Sequence, residues 1–271
     1  MKNAICLLLT IAILFACESA LADQDTLVSP DNQKYDSIKM LGRNCYVAGE
    51  GSDTMLYLCC EFMNVGTNVV SPKGNGIRIN FLDSSGKTVY TSIEYAVFLP
   101  GDYFAPGSVF YMEVIERVKE HPDLLPVIQD IVDYKITLSL NEIDRYSTVK
   151  ILPVLPTTYT IEKKSGGLLE NLFYGHSRDY YEFTGTVTNN TGRDLDTYSY
   201  GFDVYVIFRD DDGAPIQIDT VEPDFNKLQA GETRQFKMRT YSTYTMTYLN
   251  KYNYTAVDVD MIFTVPSHCY N

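Results

Sequence analysis

One unit is written twice along this chain, and that repetition constrains the fold more than any other feature. From Leu56 the first copy reads LYLCCEFMNVG, then IRINFLDSSGKTVY, then APGSVFYMEV. From Tyr181 the second reads YEFTGTVTNNTG, then VYVIFRDDDGAPIQI, then QAGETRQFKMRT. Asn64 recurs as Asn189, Gly107 as Gly231, and the Phe-x-Asp-x-x-Gly of Phe81, Asp83 and Gly86 recurs at Phe208, Asp210 and Gly213. The spacing between copies drifts by only a few residues, as changes in loop length produce.

Each piece has strand-and-turn logic. Leu56, Leu58, Cys60 and Phe62 alternate with Tyr57, Cys59, Glu61 and Met63, the period of a half-buried strand. Tyr181, Phe183, Gly185 and Val187 repeat that inward set. Asp-x-x-Gly joins two strands, its Gly supplying a positive φ, and Pro106-Gly107 and Ala230-Gly231-Glu232 are turns before further strands. Final strands are predicted over Tyr134 to Leu140 and Tyr254 to Val265. Many short strands without βα alternation predict antiparallel sandwiches. One stretch departs: Val114, Ile115, Val118, Leu124, Leu125, Ile128, Ile131 and Val132 recur at roughly helical spacing around Pro122 and Pro126, predicting a short helical insertion late in the first sandwich. Pro153 and Pro156 mark the boundary.

Residues 1–22 read as a secretory signal. Lys2 precedes an apolar run from Ile5 to Cys17, too short to span a membrane. Two processing routes compete: cleavage after Ala20-Leu21-Ala22, before Asp23, or lipidation of Cys17 within the lipobox-like Leu14-Phe15-Ala16-Cys17. The expected division is signal 1–22, linker 23–37, first sandwich 38–150, second sandwich 157–266 and tail 267–271. Without the signal, Cys45, Cys59, Cys60 and Cys269 remain, and an exported compartment permits disulfides. Folding the Cys45 and Cys59 segments about Ser52 sets these two cysteines opposite each other, so a Cys45–Cys59 bridge is expected; the alternative is two buried thiols.

The turn grammar resembles the FxLYD-type domain of exported bacterial proteins, an immunoglobulin-like sandwich. An Asn-containing turn follows the first strand, another strand ends in Asp-x-x-Gly, and a Gly turn precedes an aromatic strand, as in Ala230-Gly231-Glu232 and Phe236. In Ile79-Asn80-Phe81-Leu82-Asp83 and Val206-Ile207-Phe208-Arg209-Asp210 the Asp remains, while the leading Phe and the Tyr are gone. The resemblance implies an all-β chain of two tandem immunoglobulin-like sandwiches, of a non-catalytic envelope or surface protein without a common ligand.

Charge and side-chain chemistry narrow the function. With 22 Lys plus Arg against 35 Asp plus Glu the net charge is -13, which repels phosphate backbones and anionic lipid surfaces, so no nucleic-acid partner is expected and a membrane only through the signal or a lipid anchor. His121, His176 and His268 are the only histidines, and no Ser sits in a nucleophile-elbow context. No catalytic residue and no cofactor is assigned. Asp210, Asp211 and Asp212 offer a carboxylate cluster to Ca²⁺, but a full ligand loop is missing, and a solvated turn is the expected reading. Tyr241, Tyr244, Tyr248 and Tyr252 crowd one segment: either core packing or a face that binds a protein partner. The chain is expected to be a non-catalytic exported binding or assembly module contacting an envelope or surface protein. A spacer without a ligand is the alternative, and an unrecognised hydrolase a third.

Overall fold

β2 (Ile38–Ala48) and β3 (Met55–Asn64) pair as a long antiparallel hairpin. The computed structural model to which they belong describes residues 27–28, 33–49, 51–73, 77–94, 97–144, 151–165, 179–197, 202–240 and 258–264. β8 (Val109–Arg117) and β7 (Val97–Leu99) extend the hairpin into a sheet of order β2-β3-β8-β7. The facing sheet runs β1-β9-β5-β6, from β1 (Leu27–Val28), β9 (Asp133–Thr137), β5 (Ile77–Leu82) and β6 (Thr88–Glu94). β4 (Val69–Pro72) and β10 (Leu140–Ile143) pair separately. Leu56, Leu58, Cys60 and Phe62 meet Ile77, Ile79, Phe81 and Tyr134 in the core between the two sheets.

The second copy repeats three strands of each sheet, without counterparts of β1, β7 and β10 among the described residues. β11 (Thr157–Ser165), β12 (Asp179–Thr188) and β17 (Thr233–Arg239) form one sheet. β15 (Pro215–Val221), β14 (Asp203–Arg209) and β18 (Asp258–Thr264) form the other. β13 (Leu195–Asp196) pairs with β16 (Lys227–Leu228), where the first copy has a bridge between Val70 and Phe104. Phe183, Val204, Val206, Phe208, Phe236 and Phe263 fill this second core, together with Leu155 from the boundary segment.

Hydrogen bonding is duplicated as well. Asn64 is fully buried; its Nδ2 donates to the Asn68 and Phe104 carbonyls (2.8 and 2.9 Å) and its Oδ1 accepts from Gly66 N–H. Asn189, equally buried, donates to the Arg193, Leu228 and Gln229 carbonyls and accepts from Thr191 N–H. Gly107 N–H reaches the Asn64 carbonyl, as Gly231 N–H reaches that of Asn189. The Asp83 and Asp210 side chains close their turns on backbone amides two and four residues ahead.

Three expectations are corrected. No α-helix occurs among the described residues: Val114 and Ile115 belong to β8, and the insertion carries two single 3-10 turns, Pro122–Leu124 and Ile128–Asp130. Pro122 opens the first turn and Pro126 falls between the two, which interrupts any α-helical ladder through the segment. Leu27 and Val28, expected in a linker, form β1, which lies parallel to β9 and buries Leu27 in the first core. The strand expected over Tyr134 to Leu140 divides into β9 and β10, which pair with different partners.

The sandwiches lie face against face. The outer face of β15-β14-β18 covers the outer face of β2-β3-β8-β7, and Cys59, Leu99, Tyr111, Ile207 and Ile218 form a third apolar cluster between them. β3 is consequently buried on both faces along nearly its whole length.

Candidate functional site

Tyr241, Tyr244, Tyr248 and Tyr252 lie outside the described residues, as do Cys17 and Cys269. The remaining candidates have defined surroundings. Asp210 is committed to structure: Oδ1 accepts from the Asp212 and Ala214 amides, and Oδ2 accepts from Asn44 Nδ2 of the first sandwich at 3.1 Å. No group of three or more metal-ligating side chains is gathered among the described residues.

The expected Cys45–Cys59 bridge is not formed; Cys45, Cys59 and Cys60 are free thiols. Cys45 stands opposite Leu58, and Asn44 opposite Cys59. A register one residue away from the symmetric fold about Ser52 turns Cys45 toward the first core while Cys59 points to the second sandwich. Burial pushes the Cys45 and Cys60 thiols up to about 12, and raises Cys59 strongly as well.

The most developed polar constellation is one that no sequence motif marked: the contact between the sandwiches. Arg209, at the end of β14, donates from Nη1 and Nη2 to both carboxylate oxygens of Glu61 on β3, each at 2.7 Å. The same guanidinium reaches Tyr111 Oη at 3.1 Å, Asp260 at 2.7 Å and the Gly213 carbonyl at 2.8 Å. Tyr111 in turn donates to Glu61. The two-pronged Glu61 contact raises the Arg209 pKa above its ordinary value, so this cation is permanent. Glu61 is 8% exposed, which commits the pair to a partly dry environment.

A second acid sits two residues beyond Tyr111. Glu113 Oε1 accepts a short hydrogen bond from Tyr57 Oη and another, 3.2 Å long, from Ile218 N–H of the second sandwich. Tyr46 stacks on Tyr57, with centroids 5.3 Å apart, and donates to the Ile216 carbonyl. Gly42 supplies the close approach beside this group, because a Cβ there would lie 2.8 Å from Pro215 Cδ.

Two features of the sequence, neither of them a motif, could have located this surface. The run from Met55 to Phe62 is apolar on both faces but for Glu61, a pattern that half-buried strands do not need. Where the copies otherwise match, Leu82 of the first corresponds to Arg209 of the second. Of the histidines, His121 is described: its Nε2 lies 3.5 Å from buried Glu116. His176 and His268 lie outside the described residues.

No protein-family model matches the chain, and no curated protein does. Among solved structures, procruciferin, an 11S globulin from Brassica napus, shares 10% identity over 87% of this chain and 86% of its own, with a TM-score of 0.12. At that score the likeness carries no argument.

Proposed function

We propose that the protein is a non-catalytic exported module that binds or helps assemble another protein of the cell envelope or surface. The observation that carries this reading is the face-to-face locking of the two sandwiches through Glu61–Arg209 and the cluster around Cys59. A body whose halves are fixed presents its loops in one arrangement and loses little freedom on binding a partner. Export rests on Lys2 and the apolar run from Ile5 to Cys17, with processing before Asp23 or lipidation at Cys17. Kinship with FxLYD-type domains draws support from the matched wiring of Asn64 and Asn189 and of the Asp83 and Asp210 turns. The contact face is assigned to Tyr241, Tyr244, Tyr248 and Tyr252, amphipathic side chains with few torsions to order.

The spacer reading is the weaker one. Stacked side by side, two sandwiches give up the reach that an end-to-end chain would have, and they invest a bidentate ion pair in doing so. A crosslinked pull-down from native envelope extract, with the chain from Asp23 as bait, separates the readings. One partner recovered by wild type and lost on combining Tyr244→Ser with Tyr248→Ser supports the binding module and its face. Recovery of background alone rejects that module in favour of the spacer.

A further inference from the structure

We propose that docking of the two sandwiches is a proton-dependent latch governed by the side chain of Glu113. Its carboxyl lies on the covered face of β8, level with Cys59 of β3, and touches both halves: Tyr57 Oη from its own sandwich and Ile218 N–H from the other. Both contacts fall on Oε1, so a proton on Oε2 disturbs neither.

From the facing sandwich a like charge, that of Asp219, acts on Glu113. From β3 it is faced by Tyr57 and Cys59 and from β15 by Asp219, while Tyr46 of β2 packs behind Tyr57; Glu61 of β3 and Arg209 of β14 act on Cys59. Arg209 is already held by Glu61 and Asp260, two carboxylates for one guanidinium. Asp219 adds like charge, and Leu99 of β7 contributes only apolar surface. Burial outweighs the two hydrogen bonds and moves the Glu113 carboxyl up to about 7.

The direction of the effect follows. A carboxyl whose value is raised in the docked state binds a proton there that it would release when undocked, throughout the interval from its ordinary 4.5 up to about 7. Docking therefore tightens as pH falls through 7 and loosens as it rises. Linkage across that interval makes the undocked fraction rise about tenfold between pH 6 and pH 8.

Cys59 reports the opening because it is sealed between the sandwiches, while Cys45 and Cys60 face the first core and serve as internal references. Alkylation of the full chain with a small thiol reagent, read thiol by thiol by mass spectrometry from pH 6 to 8, should show Cys59 gaining about tenfold relative to Cys45 and Cys60. In Glu113→Gln, which keeps an acceptor oxygen for Tyr57 and Ile218, the ratio should stay flat. An unchanged ratio in wild type, or the same rise in the variant, overturns the latch. If Glu113→Gln does not fold, the carboxyl resonance of Glu113 in isotopically labelled wild type decides: a midpoint near 7 supports the latch, and one near 4.5 rejects it.

Discussion

Two asparagines bear much of the burden of turn geometry. Asn64 and Asn189 each feed their amide donors to loop carbonyls and so tie the turn to the strand that follows. Asn189→Ala removes the donor from the buried Leu228 carbonyl, while the Gln229 carbonyl keeps the Glu232 N–H, and should cost about 1–3 kcal/mol, seen as a lower urea midpoint. Gly185 is constrained differently, since a Cβ there would lie 2.0 Å from the Thr158 carbonyl oxygen and 2.7 Å from Phe236 Cζ. Backbone and ring hold that space together, so Gly185→Ala should destabilise the second sandwich by about 2 kcal/mol or more, measurable in the same way. The two asparagines were visible as a repeated letter. The reason for Gly185 was not, because it depends on β11 and β17 arriving from either side in space.

Among the elements, the β2–β3 hairpin is the instructive one. Its connection carries a 3-10 turn at Gly51–Asp53, and Cys45 pairs with Leu58. Side chains alternate with a period of two, so one residue of register decides whether two cysteines meet or point apart. Thiol titration of the unfolded, unreduced protein should find Cys45, Cys59 and Cys60 all reactive. In the native protein at pH 8, Cys45 and Cys60 should react at less than about a tenth of the rate of an unhindered thiol, because burial holds both near 12. β3 carries the complementary lesson. Its alternation identified the inward face correctly, yet the outward face proved equally buried, as its Tyr57, Cys59 and Glu61 lie under the second sandwich.

Over the whole molecule, the two copies use different faces. The first copy offers β2-β3-β8-β7, rich in Tyr46, Tyr57, Cys59 and Tyr111, to the second copy's β15-β14-β18. The matching outer face of the second copy, on β11-β12-β17, is polar: Thr158 pairs with Thr186, Thr160 with Thr184 and Thr188 with Thr233, and Glu182 binds Lys237 and Arg239. A face-to-back contact of this kind could repeat indefinitely, and the polar surface removes the apolar drive for a third layer. Within the pair, Arg209→Ala leaves Glu61 without its guanidinium and should cost about 3–5 kcal/mol, separating one unfolding transition into two by calorimetry. Glu61→Leu combined with Arg209→Leu, the residue of the first copy, should recover most of that loss.

The amino-acid sequence alone determined that the chain would be built twice from one antiparallel unit, which residues of β3 and β12 would face inward, and where Asn and Gly would turn the backbone. These are local quantities: a period of two, a positive φ, a side-chain amide within reach of its own loop. Only the tertiary structure decided the thiol pairing, the double burial of β3 and the meeting of Arg209 with Glu61, 148 residues apart. Such contacts depend on hairpin register and on which sheet face covers which. Many arrangements of the same strands bury similar apolar area, and the choice among them rests on packing and charge complementarity that become defined once the two halves meet.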